Sequence, residues 1–456
     1  YGLRISKSSF GAFPANYDLL LGFDGKYFVQ FAVPGGGAVS MKYYVEFTFG
    51  GHGIYKERWV TRAATDGSYA ATAGGASSYY ILPLQYDEKL QAGVEPFHPY
   101  NPANWGPPAV AGGPAVRPAQ KASFDNNCAG CHFTGIGLTR DGTGNFKAKA
   151  AGDANGVMDF DGNGTKDEMD IGCESCHGPG SAHIAGGPNL GKNIVLPNLL
   201  SAERANMVCG NCHTRGESHG TLGGDFTENP SAGTDTLTFP YPGISRSEFL
   251  ATYYVEKPGT YADDTKHSRQ HHQQYIDHLK STHNRNPYQA VTCGDCHNLH
   301  NRDIGPSLSM PVNNNALCMN CHAPYTFGLD AGYTKEDEGL AVSKHMKDYA
   351  GMNVGYDPTN ATGVAPGTAT GGVGQCGTCH MPKTASSQSR FMSDTLTAGQ
   401  PTGARIRGDV SSHVFDVIMP AASEVLFTSG GANNQLPNSC GSCHNDVTNI
   451  LPDYTW

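Results

Sequence analysis

Seven times along the chain two cysteines stand three residues apart with a histidine directly after the second. The runs are Cys128-Cys131-His132, Cys173-Cys176-His177, Cys209-Cys212-His213, Cys293-Cys296-His297, Cys318-Cys321-His322, Cys376-Cys379-His380 and Cys440-Cys443-His444. They take up all 14 cysteines, so no thiol remains for a disulfide. Cysteines at this spacing reach the two vinyl groups of one haem as thioethers, and the next histidine lies under the iron as its proximal ligand. Zinc sites combine Cys-x-x-Cys runs without requiring a histidine after each. Histidine after all seven points to haem c, seven covalent copies per chain.

The sixth ligand decides what each haem does. Iron held by two histidines is closed and passes electrons, whereas an open position binds a small molecule. Beyond the seven proximal residues the chain has twelve histidines, enough for a second imidazole on every iron. The distal candidates are His183, after the Gly-Pro-Gly of CHGPGSAH; His300, three residues after His297; His283, His345 and His413, isolated between motifs; one of His271 and His272; and His52. His300 and His297 are expected to share a helical face. The remaining histidines read as solvated or supporting groups.

A second metal is suggested by the run from Asp159 to Asp170. Asp159, Asp161, Asn163, Thr165, Asp167 and Asp170 stand at the spacing of a calcium loop, with Gly164 at the tight-turn position. Aspartate at the last position replaces the usual glutamate, a departure that resembles dockerin-type loops. Calcium there would stiffen the approach to Cys173.

These groups need elements to position them. Lys26–Val33 and Met41–Phe49 are aromatic and β-branched and flank a Pro-Gly-Gly-Gly turn, which predicts a hairpin. Ile54–Arg62 and Ser78–Tyr86 read as further strands, with Pro83 suited to an edge. The proline-dense segment after them is expected to run extended. The partition is a β-rich N-terminal region (1–95), a Pro/Gly-rich linker (96–122) and a heptahaem domain (123–456) of mostly coil with short helices wrapped around haems. The motif spacings, 45, 36, 84, 25, 58 and 64 residues between first cysteines, show no simple repeat. The longest gap holds the strongest helical pattern, Asp264–Thr282.

A formal charge of −10, made more negative by haem propionates, argues against nucleic acid as a partner. No apolar run approaches the roughly 20 residues of a membrane helix. The start at Tyr1 reads as an already processed, exported chain.

The seven motifs, with CESCHGPGSAH (Cys173–His183) and HHQQYIDHLKSTH…VTCGDCHNLH (His271–His300), resemble the multihaem c-type cytochromes of metal- and sulfur-metabolising bacteria and archaea. The resemblance runs from about Ser123 to His444. It implies export, haem attachment outside the cytoplasm, mostly bis-histidine ligation, and redox proteins or extracellular acceptors as partners. Some relatives polymerise into extracellular filaments (nanowires), occasionally with an axial histidine from the next subunit; His52 or His98 would be placed for that role here. Two functions compete: an electron conduit without a substrate of its own, and a reductase of a small nitrogen or sulfur compound with one open haem. Histidine in all seven motifs and the surplus of imidazoles favour the non-enzymatic conduit.

Overall fold

The computed structural model describes residues 2–5, 16–51, 56–71, 77–87, 97–134, 138–140, 146–148, 168–186, 192–218, 240–256, 266–301, 307–310, 316–322, 376–385, 410–419, 422, 436 and 439. Two units divide the chain, residues 1–257 and 258–456.

The first unit opens with two consecutive antiparallel meanders. Strands β1 (Leu3–Ile5), β2 (Asp18–Phe23), β3 (Tyr27–Ala32) and β4 (Tyr43–Tyr44) form one sheet in sequence order. Strands β5 (Phe47–Phe49), β6 (Lys56–Ala64), β7 (Ser77–Asp87) and β8 (Phe97–Pro99) form the other. Alternation sets which residues meet: Leu19 pairs with Phe31 and Leu21 with Val29, so all four lie on one face. Tyr80, Leu82 and Leu84 from β7 join them in a single buried cluster with Tyr17, Tyr43 and Trp105. The predicted hairpin forms between β3 and β4, but Met41–Phe49 does not continue as one strand. It leaves the first sheet after Tyr44 and enters the second at Phe47.

Two local expectations change. Pro83 lies not on an edge but in β7, between β6 and β8. Register slips there, from Arg58 opposite Gln85 to Val60 opposite Ile81, and this bulge frees Pro83 from donating to the ladder. The proline-dense segment after β8 does not run out as an extended linker but packs on the sheets. Buried tyrosines and a tryptophan need partners for their polar ends, and this segment supplies or receives them. Tyr17 Oη donates to the Pro102 carbonyl at 2.7 Å, and Tyr43 Oη accepts the Ala115 N–H at 2.8 Å. Trp105 Nε1 donates to the Ile81 carbonyl at 3.1 Å while its ring stacks on Phe31.

Beyond this β-rich region helices are few and short, and most of them carry a haem motif. Ala202–His213, with twelve residues, is the longest described. In the second unit the predicted helix Asp264–Thr282 is, among its described residues from Lys266 on, helical only over Gln274–Lys280. His272 takes a left-handed φ of 60°, which no α-helix continues through, so the turn begins after it.

Candidate haem-binding sites

Six motifs fall within described residues, and each sits on a helical turn. The helices are Ala129–His132, Cys173–His177, Ala202–His213, Cys293–Cys296, Ala316–His322 and Cys376–His380. Residues three apart share a helical face, so both sulfurs of each motif present to one side. The turns are too short to persist alone and are fixed by local bonds. Thr292 and Asp295 close a capping box around the fourth motif, and Gly178, at φ 73°, stops the second. Cys440, Cys443 and His444 of the seventh motif lie outside the described residues, as do His52 and His345.

The first motif is built into the second sheet. Phe47, Phe49, Phe124 and Phe133 pack edge to face with ring centres 5.3 to 5.7 Å apart, and the His132 imidazole lies 4.9 Å from Phe49. Burial, then the Arg58 guanidinium, depresses His132 to a pKa of about 4; Asp170 opposes this and His213 adds to it. The ring is therefore neutral near pH 7, the form that ligates a metal. These aromatic supports were not foreseen from the motifs. Their signal was the Phe-Thr-Phe alternation of β5.

Within each unit successive motifs lie close enough to bond or to influence one another electrostatically. After His132, Phe133–Thr134 pairs with Glu168–Met169, just ahead of the second motif. Thr134 Oγ1 donates to the Asp170 carbonyl, accepts the Gly172 N–H at 2.7 Å and lies 2.7 Å from Ser175 Oγ, inside the second motif. As a free thiol Cys176 is pushed up to about 11, first by burial and then by Cys209 and Cys212 of the third motif. In the second unit burial and then Asp295 do the same to Cys296, with Cys318 and Cys321 of the fifth motif contributing. The thiols of Cys318 and Cys376, from the fifth and sixth motifs, share a hydrogen bond that favours the Cys318 thiolate.

Several imidazoles are oriented by backbone carbonyls at Nδ1, the contact that typically fixes a metal-binding histidine through its other nitrogen. His177 Nδ1 meets the Val195 carbonyl at 2.7 Å, and His183 Nδ1 meets that of Lys192 at 2.9 Å. His413 Nδ1 lies 3.1 Å from the Ser411 carbonyl.

Two pairs of imidazoles lie close together. The rings of His297 and His413 are 6.3 Å apart, centre to centre, with planes at 21°; those of His322 and His283 are 5.9 Å apart at 83°. A metal–imidazole bond is about 2 Å and the ring centre lies roughly 1 Å further, so two imidazoles sharing one metal sit about 6 Å apart. Both separations match that spacing. His283 Nδ1 is buried without a hydrogen-bond partner, and burial, followed by His322, lowers the pKa of this ring. Phe415, at φ 60°, lies 4.5 Å from His283 and 5.7 Å from His413.

Other histidines are placed differently. His297 is already extended, and His300 lies in the following turn, donating its N–H to Asn298 Oδ1, so the two do not share a helical face. His271 and His272 pack on each other at 4.4 Å. His278 Nε2 meets the Val291 carbonyl, and His267 Nε2 lies 2.6 Å from Asp416 Oδ1. His98 is on β8, the edge of its sheet. Of the calcium run only Asp170 and the short strand before it are described; Asp170 is exposed at φ 72°. Among the described residues no three His, Cys, Asp or Glu side chains converge as a metal site, and no helix is long and apolar enough to cross a membrane.

The doubled CXXCH motif family matches residues 286–326, which contain the fourth and fifth motifs. The multiheme cytochrome MtrA of Shewanella baltica (strain OS185) is 27% identical over 151 residues, covering 33% of this chain and 42% of the relative. The chain thus aligns with under half of that relative's length. No solved structure matches. The motif match and the relative support a multihaem c-type cytochrome with haem c as its cofactor.

Proposed function

We propose that this protein is an electron conduit that carries seven covalent haems and acts on no substrate of its own. The closeness of successive attachment motifs carries the reading: first and second, and fifth and sixth, are joined by hydrogen bonds, while second and third, and fourth and fifth, lie within electrostatic reach. Haems anchored at neighbouring sites exchange electrons without a diffusing carrier. What the protein tunes is ligation, burial and hydrogen bonding around each iron.

Axial ligation is proposed as bis-histidine wherever an imidazole is available. His413 completes the fourth haem opposite His297, and His283 completes the fifth opposite His322, supported by their ring separations. His183, His300, His345, His52 and one of His271 and His272 remain candidates for the others. Calcium at Asp159–Asp170 is proposed as a structural brace between the first two motifs, supported by the ligand spacing and by the closure of the loop's end on Thr134. Residues 123–456 are proposed as the haem-bearing part, following a β-rich region. An extracellular position and assembly with further copies into a filament are supported by the low share of charged residues, 16%, and the Asn/Ser/Gly-rich composition.

The test is a spectroelectrochemical titration of the native protein with a parallel haem count. Seven low-spin haems that titrate reversibly and ignore nitrite and carbon monoxide are expected. A high-spin haem that binds either molecule and turns it over would overturn the conduit.

A further inference from the structure

Asp277 is an acid buried in the second unit, at the centre of a polar knot. Its Oδ1 accepts the Ser268 N–H at 3.0 Å and the Ser268 hydroxyl at 2.6 Å. Its Oδ2 accepts the Ser412 hydroxyl and the His413 backbone N–H, both at 3.1 Å. The carboxylate is only 2% exposed. Burying a carboxylate is costly, and four donors on its two oxygens are the compensation such a group needs. Burial nevertheless raises its pKa, against the pull of those donors.

The knot joins parts of the chain more than a hundred residues apart. Ser268 precedes the helix Gln274–Lys280, which carries Asp277, while Ser412 and His413 belong to the segment 410–419. Thr384 extends it, donating to the Ser268 carbonyl at 2.9 Å, and the Ser412 N–H bonds the Pro382 carbonyl. Segment 410–419 contains no helix or strand of its own, and an isolated bridge from Val410 to Ala385 holds its start. Two of Asp277's four bonds go to this segment, one directly to the backbone of His413, whose ring centre lies 6.3 Å from that of His297.

We propose that Asp277 is the positioning residue for the fourth haem's distal ligand, holding the 411–413 backbone so that the His413 imidazole stands across the iron from His297. This rests on the proposed haem function but is separable from it. The bonds of Asp277 go to Ser268, Ser412 and the His413 backbone, so it acts through His413. Asparagine at 277 would turn an acceptor oxygen into a donor, repelling one of the two groups of donors.

The experiment uses full-length, haem-loaded protein bearing Asp277→Asn, Ser412→Ala or His413→Ala, with haem content and electron paramagnetic resonance measured on each. His413→Ala is expected to keep all its haems, convert one per chain from low-spin to high-spin, and regain the low-spin signal with added imidazole. Asp277→Asn is expected to release the same haem in part, with carbon monoxide now bound at up to one per chain. Ser412→Ala, which keeps the His413 N–H bond, should lie between it and the unmodified protein. Low-spin spectra unchanged in both Asp277→Asn and Ser412→Ala, with only a lowered melting temperature, would overturn the positioning role. Unchanged spectra in His413→Ala would overturn the His297–His413 pairing with it. An unmodified chain that carries no haem would sink the functional reading itself, a result visible before any variant is made.

Discussion

The hydroxyls of Thr134 and Ser175 lie 2.7 Å apart, one just after the first haem motif and the other inside the second. Thr134 Oγ1 also serves the Asp170 carbonyl and the Gly172 N–H, so one side chain joins two attachment sites. Thr134→Val keeps the shape and removes the bonds. A loss of about 1–3 kcal/mol is expected, the usual cost of stranding buried polar groups. Denaturant unfolding followed through the haem absorption bands checks it; an unchanged midpoint would mean that water replaces the hydroxyl without loss.

Glu46 and Arg62 form an ion pair at 3.3 Å in the N-terminal sheets, with side chains 16% and 8% exposed. Tyr69 Oη donates to the same glutamate at 2.5 Å. Removing one partner strands the other, so Glu46→Ala should cost about 3–5 kcal/mol. Replacing both residues with apolar side chains of similar volume should recover much of that. A double-mutant cycle by thermal unfolding decides, and additive losses would refute the coupling.

Asp416 sets an acid limit on the second unit. Burial raises its pKa, but hydrogen bonds from His267 and then Lys266 outweigh this and hold it at about 2. A depressed carboxylate contributes stability above its unfolded value near 4, and that stability is lost as pH falls through the folded value. Between about pH 4 and pH 2 the native protein should therefore weaken more steeply than Asp416→Asn. Unfolding midpoints measured across that window give the answer; parallel curves would assign the acid sensitivity to other groups.

Calcium binding should follow Asp159 and Asp161. Calorimetry is expected to find one site per chain in the native protein and none in Asp159→Asn/Asp161→Asn. Equal heats from both proteins would return the run to an acidic turn.

The seventh motif is tested most simply by Cys440→Ala/Cys443→Ala. The haem-to-protein ratio should fall from seven to six, with the other haems retained. A ratio unchanged from the native protein would show that this run never held a haem.

The attachment sites were legible because covalent chemistry fixes residue type and spacing at once, and six of the seven appear on helical turns. The strands of the N-terminal region were legible through aromatic alternation. The proline-dense segment was misread because its composition says nothing of Tyr17 and Tyr43, whose polar ends it satisfies, or of the Ile81 carbonyl that accepts its own Trp105 N–H. The helix before the fourth motif was overestimated because periodicity does not reveal that His272 turns left-handed. His283 and His413 stood out as isolated histidines, but which proximal residue each faces is a long-range relation that local pattern does not contain. Asp277 gave no signal at all: an aspartate in a helix normally faces water, and only tertiary structure shows its four donors.

Phe415 lies against both His283 and His413, the rings proposed for neighbouring irons. The fourth and fifth sites thus share a wall one side chain thick. A replacement at 415 would change the surroundings of both ligands together, so these two centres have no independent setting at that position. Adjusting either one alone calls for a change on its far side, at Asp277 for the fourth or behind His322 for the fifth.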